Sequence, residues 1–348
     1  MGKTIQTALA SFGMSGMVFH GPSLKANPNF NVHSILERTK NQSIKDYPQA
    51  RIVRSFEELI HQSEVDLVII NTPDRFHYPM CKQALEAGKH VIVEKPFTQT
   101  VEQANELIQL AQKHNRLLSV YQNRRWDNDF LTVKKILNEG MLGRLVEFES
   151  HFDRYRNFIQ EGTWKEAGDK RHGVLFNLGS HLLDQVVQLF GLPKSLTAHL
   201  DILRTSGEVN DYFDIRMQYP DFAAILKSSY LVREPGPRFS LHGMLGSFHK
   251  WGIDPQEELL KAGHLPNEAH WGTEPKAYWG QLNTEWNGLN IKGTIETLPG
   301  NYNSYYENIY DVLTNGAELA VKPEESRDVI QLLDYCLQSH EEKRTIFL

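Results

Sequence analysis

The stretch TIQTALASFGMSGMVFHG, Thr4 to Gly21, governs how the rest of the chain is read. An apolar run ends at a glycine-containing turn, SFGMSG (Ser11 to Gly16), and a segment beginning MVFHGPSL follows. Strand, tight turn and helix in that order are the setting of a dinucleotide fingerprint, G-x-G-x-x-G. Ser11 stands here at the first glycine position. Gly13, at the second, lets the backbone approach a pyrophosphate, and Gly16, at the third, lets the helix close on the strand. Met14 and Ser15 complete the turn. The helix start behind them offers amides and partial positive charge to phosphates.

The same alternation continues outward. NVHSILER, EVDLVIINTP (ended by Pro73), KHVIVEKP and RLLSVYQ read as four more strands. Between them lie helical patterns, SFEELIHQS with Ser55 as N-cap, YPMCKQALEAGK, and TVEQANELIQLAQKHN capped by Thr100. Strands that are apolar almost throughout and alternate with helices predict a doubly wound parallel sheet over residues 1–122. Past residue 122 the strands lengthen and segregate, in GRLVEFESHFDRY, SLTAHLDILR, DYFDIRMQYP, FAAILKSSYLV, RFSLHGMLGSFHKWG and KGTIETLPG. That pattern predicts a second, α+β domain over 123–348, built on a large, mostly antiparallel sheet. The stretch 252–290 has no period and reads as a long loop, and PEESRDVIQLLDYCLQS reads as a final helix.

Composition bounds the function. At 348 residues two domains are expected, and 40% apolar with 23% charged residues belong to a globular chain. A net charge of -6 provides no basic field for nucleic acid or an anionic membrane. No run of about 18 apolar residues exists to span a bilayer, and the first residues lack the pattern of a signal peptide. The two cysteines, Cys81 and Cys336, carry no metal-ligand spacing and suit a reducing cytosol. No metal site is expected.

Three places carry candidate chemistry. The second strand ends in ILERTK, where Glu37 would accept from a ribose diol and favour NAD, while Arg38, Thr39 and Lys40 would grip a 2′-phosphate and favour NADP. The two signals conflict and leave the choice of NAD or NADP open. GKHVIVEKPF (Gly88 to Phe97) ends an apolar strand with Glu94 and Lys95 before Pro96, which puts the lysine at the carboxyl edge where open sheets bind ligands. In GVLFNLGSHLLDQVVQLFG, Asn177, His181 and Asp184 recur at i, i+4 and i+7, a polar stripe on an otherwise apolar helix.

With the glycine turn, EKP (94–96) and NLGSHLLD (177–184) make the chain resemble the Gfo/Idh/MocA family of NAD(P)-dependent oxidoreductases, as do TPDRFHY (72–78) and AGKHVIVEKPF. The resemblance spans almost the whole chain. YQNRRWDNDF (121–130) and FDRYR (152–156) look most like its NADP-dependent inositol dehydrogenases. The resemblance implies hydride transfer between nicotinamide and a cyclic polyol or sugar carbon. It makes His181 the acid/base and Lys95 the group that positions and polarises the hydroxyl. Asn177 stands where the family carries an aspartate, so Asp184 is the carboxylate that would have to compensate. Thr72, Pro73, His77, Glu94 and Lys95 join the glycine turn as cofactor-lining residues, with shaping of its loop as the other reading of His77. Arg124, Arg125, Trp126 and Asp127 suit a polyhydroxylated substrate, or equally an interdomain salt-bridge network, and Tyr155 with Arg156 suits substrate contact or an exposed strand face. Relatives of this look commonly pair through the large sheet, which implies a homodimer or homotetramer and gives the second domain both substrate binding and oligomerisation. Two rival implications are a nicotinamide-binding regulator without turnover, and an NAD-dependent glycosidase of the same family.

Overall fold

Strands of the first third pair into one parallel sheet in a computed structural model that describes residues 2–163, 166 and 168–348. They are β1 (Ile5–Leu9), β2 (Phe30–Leu36), β3 (Arg51–Val53), β4 (Leu67–Ile70), β5 (His90–Val93) and β6 (Leu118–Val120). Their order is β3-β2-β1-β4-β5-β6, with every pairing parallel. The order reverses at β1, between β2 and β4, and the carboxyl ends of strands flanking such a switch form the ligand edge of the fold. β3 was not legible in the sequence, because it has three residues and begins with exposed Arg51, too few to show a period. The helices are α1 (Gly21–Ala26), α2 (Phe56–Ile60), α3 (His77–Glu86) and α4 (Val101–Lys113). Ser55 and Thr100 cap α2 and α4 as expected, their side chains accepting from Glu58 N and Gln103 N. α4 buries Ala104, Leu107, Ile108 and Ala111, the face its spacing predicted.

The second sheet has nine strands, β7 (Leu145–His151), β8 (Ser195–Asp201), β9 (Tyr212–Gln218), β10 (Ala223–Ser229), β11 (Phe239–Gly243), β12 (Gly246–Lys250), β13 (Gly280–Trp286), β14 (Leu289–Ile295) and β15 (Ile346–Phe347). They run β14-β13-β12-β11-β7-β10-β9-β8-β15, antiparallel except for β7 with β10. α5 (Asn128–Asn138) precedes this sheet in sequence, and α6 (Ser180–Phe190) extends a π-helical turn over Leu175–Gly179. Gly179 lets that segment press on β9, since a methyl group there would meet the Phe213 ring at 3.2 Å. The remaining helices are α7 (Gln256–Lys261), α8 (Asn303–Asn315) and α9 (Pro323–Glu342).

The chain folds as two interleaved compact units. One comprises Met1–Asp127, Pro255–Gly272 and Gly300–Ile330, and the other Asn128–Asp254, Thr273–Pro299 and Gln331–Leu348. Hydrogen bonds explain why distant segments rejoin the first unit. Gln256 Nε2 donates to Trp126 O, Gln256 Oε1 accepts from Tyr302 N and Trp271 Nε1, and Ser119 Oγ donates to Val321 O. In the second unit a fully buried ion pair, Lys250 to Glu274 at 2.8 Å, fastens the 273–299 segment to the end of β12. Thr297 Oγ1 and Asn128 Nδ2 also donate to Glu274. The stretch 252–290 is therefore not a plain loop. It contains α7 and β13, whose outward residues Gln281, Asn283 and Glu285 are polar and exposed and so hide the strand from a search for apolar runs.

Candidate active site

The glycine turn is held by its neighbour strand. Ser11 N donates to Asn71 Oδ1 and Asn71 Nδ2 donates back to Ser11 O, both at 2.9 Å, while Ser11 Oγ donates to Asn71 O. The serine at the first glycine position thus joins the turn to the end of β4. A side chain at Gly13 would meet nothing within 4 Å, so the turn's backbone stays open to a bulky anion. At Gly16 a methyl group would come within 2.7 Å of Ser11 O and 3.1 Å of Asn71 Nδ2. Only glycine permits that close approach. An open position followed by a crowded one is what a dinucleotide pyrophosphate requires, so these residues fit NAD(P). Met14 is exposed, and Ser15 donates its hydroxyl to Glu94.

The ends of β4 and β5 are tied by His77. Its Nδ1 lies 2.8 Å from Pro96 O and its Nε2 2.8 Å from Thr72 O, and the ring is buried. His77 therefore shapes the loops carrying Thr72, Pro73, Lys95 and Pro96, the last two joined by a cis peptide. Glu94 keeps its charge here. Burial alone would raise its carboxyl, but hydrogen bonding and charge from His20, then Ser15 and Lys95, hold it down to about 2.

Glu37 does not present its carboxylate as the ribose reading requires. It is buried, with Oε2 accepting from Gln42 N at 2.8 Å and Oε1 from Ser43 N at 2.9 Å and from Ser43 Oγ. Two amides and a hydroxyl outweigh burial and lower its pKa. The turn after β2 has captured the acid, which no motif in ILERTK announces. Arg38, Thr39 and Lys40 remain exposed, and Arg54 braces their loop through Glu37 O, Lys40 O and Asn41 Oδ1.

Arg124 and Asp127 are both buried in the first unit, and Arg124 Nη1 lies 3.2 Å from Asp127 Oδ2. Arg124 Nη2 also meets Glu257 at 2.5 Å, and Asp127 Oδ1 accepts from Tyr302 Oη at 2.7 Å. Against its burial, Glu257 is held to about 2 by Arg124 and Lys261. Arg125 reaches Ala320 O and Glu325. These pairs all lie within one unit and so are not the interdomain network that the sequence offered as an alternative; Trp126 is half-buried beside Tyr305.

In the second unit His181 and Asp184 are buried on α6 among Leu182, Leu183, Val186 and Val187. Asn177 lies on the preceding π-helical turn, so the regular i, i+4 spacing does not carry across the junction. Its Nδ2 is 3.4 Å from Tyr230 Oη. Asn210 anchors the helix start by accepting from Leu175 N and donating to His172 O. Tyr155 is exposed, its hydroxyl accepting from Arg233 and its ring lying under that guanidinium, while the Arg156 guanidinium lies over Tyr230. His20, Asn71 and Tyr230 were missed in the sequence because each acts through a partner at least 53 positions away. Among the described residues no three His, Cys, Asp or Glu side chains gather as a metal site, and no helix is long and apolar enough to cross a membrane.

Comparison with known proteins agrees with this architecture. Residues 5–122 match the NAD-binding Rossmann fold of the GFO/IDH/MocA oxidoreductase family, and residues 134–348 match its C-terminal alpha/beta domain. The scyllo-inositol 2-dehydrogenase (NADP(+)) of Bacillus subtilis strain 168 is 39% identical over 99% of this chain and 96% of its own length. A crystal structure from Bacteroides fragilis is 49% identical with a TM-score of 0.93, covering 99% of this chain and 100% of that one. An oxidoreductase from Bacillus cereus is 35% identical, with a TM-score of 0.93 and 99% of each chain covered.

Proposed function

The chain belongs to the Gfo/Idh/MocA oxidoreductase family and is an NAD(P)-dependent dehydrogenase acting on CH–OH groups, and from that premise we propose a cyclic polyol of inositol type, or a sugar derivative, as its substrate. The observation that carries this reading is the polar pair His181 and Asp184, buried on a helix whose other inward residues are largely apolar. An imidazole and a carboxylate on one helix are the group types that acid/base chemistry at a hydroxyl requires. The inositol dehydrogenase aligned over nearly the whole chain supports the polyol class.

The nicotinamide, when bound, accepts or supplies the hydride. In the oxidative direction His181 takes the substrate hydroxyl proton, since imidazole exchanges protons near neutrality. Lys95, which follows β5 at the carboxyl edge of the parallel sheet, is in this reading the group that polarises the hydroxyl and steadies the charge that develops on it. Asn177 orients by hydrogen bonding without adding charge. Inositols, aldoses and ketoses assayed by nicotinamide absorbance with each cofactor separately test the reading. Turnover of cyclic polyols or sugars is expected, and inertness towards both classes would overturn it.

NADP is the cofactor this reading favours. The acid that would accept from a ribose diol is held by its own turn, and Arg38, Thr39 and Lys40 stay exposed beside it. A charged hydrogen bond to phosphate contributes about 1.5–3 kcal/mol, so Arg38→Ala is expected to weaken NADP+ binding by roughly 10- to 150-fold. NAD+ binding should change little. Equal losses for both dinucleotides in a binding titration would refute the assignment.

Self-association follows the same reading. On the face of the second sheet turned away from α6, half-buried Glu149, His151, Lys227 and Asp214 form a charged ladder across β7, β10 and β9. Pairing of two copies there would give a dimer or tetramer in sedimentation equilibrium, and a monomer would exclude it. A cytosolic site suits two buried cysteines whose thiols burial pushes up.

A further inference from the structure

Ser15 and His20 begin and end the π-helical turn that follows Gly13, and both reach the same oxygen of Glu94. Ser15 Oγ donates to Oε1, and His20 Nε2 lies 3.1 Å from it. The other oxygen, Oε2, accepts from Lys95 N at 3.2 Å. On the opposite side of the ring His20 Nδ1 lies 2.5 Å from Tyr306 Oη, and the Tyr121 ring packs at 4.3 Å. His20 is wholly buried. A single carboxylate therefore ties both ends of the phosphate-facing turn to the strand end that bears Lys95.

We infer that His20 is a positioning residue for dinucleotide binding, which by donating to Glu94 keeps a charged clamp closed across the turn presenting Gly13 and Gly16. An ionised carboxylate only accepts, so Nε2 carries the proton. The Tyr306 hydroxyl, which can both donate and accept, pairs with Nδ1 on the other side of the ring. Other groups facing it are Lys95, beside the carboxylate, and Tyr121, Tyr305 and Tyr306, whose hydroxyls burial pushes far above neutrality. With Glu94 held low, NAD+ affinity is expected to be flat from pH 6 to 9, while the 2′-phosphate of NADP+, which titrates at about 6, adds the same dependence to wild type and variants.

Without His20 the sign reverses. Burial then dominates Glu94 and raises its pKa, so the clamp is present above that raised value and lost as pH falls through it. Dissociation constants for NADP+ and NAD+, measured without substrate by protein fluorescence from pH 6 to 9, test this. His20→Leu is expected to bind about tenfold or more weakly at pH 6 and to recover towards pH 9. Adding Glu94→Gln should abolish that pH dependence and restore most of the affinity, because a neutral amide needs no charged partner. His20→Gln, which keeps a donor towards Glu94, should stay flat and close to wild type, and it serves if the leucine variant fails to fold. Wild-type affinity in His20→Leu at every pH would overturn the inference. So would equal, pH-independent weakness in His20→Leu and the double variant, or a His20→Gln variant whose affinity is tenfold below wild type.

Discussion

Alanine at His181 is expected to lower kcat by about 10²- to 10⁴-fold, the usual contribution of a positioned acid/base. Dinucleotide affinity should stay within a few-fold of wild type, because the glycine turn, Asn71 and Glu94 belong to the other unit. Lys95→Ala is expected to show the same separation, with turnover lost and binding of NADP+ largely kept. Its backbone amide still donates to Glu94 after the substitution, so the clamp at the turn survives. Stopped-flow hydride transfer and fluorescence titration on the same preparations separate chemistry from binding. Near-normal transfer in both variants would remove the pair from the mechanism. A loss confined to KM would instead make them substrate-binding groups.

Lys250→Ala should be the most destabilising single change outside the chemistry. The ammonium is fully buried, and its partner Glu274 also accepts from Thr297 and Asn128, so the carboxylate would remain inside without its cation. Breaking a buried pair in this way costs about 3–5 kcal/mol. Replacing both partners, Lys250→Met with Glu274→Leu, leaves no orphaned charge and should cost distinctly less than the single change. Denaturant melts of the two variants decide the matter, and a single variant within about 1 kcal/mol of wild type would show that the pair is not structural.

The glycine turn shows how far local sequence reaches. The fingerprint position, Gly13 for access and Gly16 for closeness, needed only the order strand, turn, helix; a side chain at Gly13 would meet nothing within 4 Å, and one at Gly16 would press on Ser11 O. Caps at Ser55 and Thr100 and the buried face of α4 were equally legible, since a helix declares itself within a dozen residues. Glu37 marks where this stopped. Its place at the end of β2 was evident, but its orientation depends on amides five and six positions on, in a turn whose shape no motif specifies. Arg124 and Asp127 were visible as charges beside the first domain, yet Glu257 and Tyr302 were needed to show that they join a network.

The parallel Rossmann sheet and the mostly antiparallel second sheet were thus written in short-range periodicity, because burial of one face repeats every two or every three to four residues, and the family showed only as a resemblance carried by motifs such as EKP and NLGSHLLD. Tertiary structure alone decided which partner satisfies a buried charge, His20 for Glu94 and Glu274 for Lys250. It also decided that residues 255–272 and 300–330 return to the first unit. The reason is physical. A charge taken out of water must find its complement wherever the fold brings one near, and that neighbour leaves no trace in the residues adjoining it in sequence.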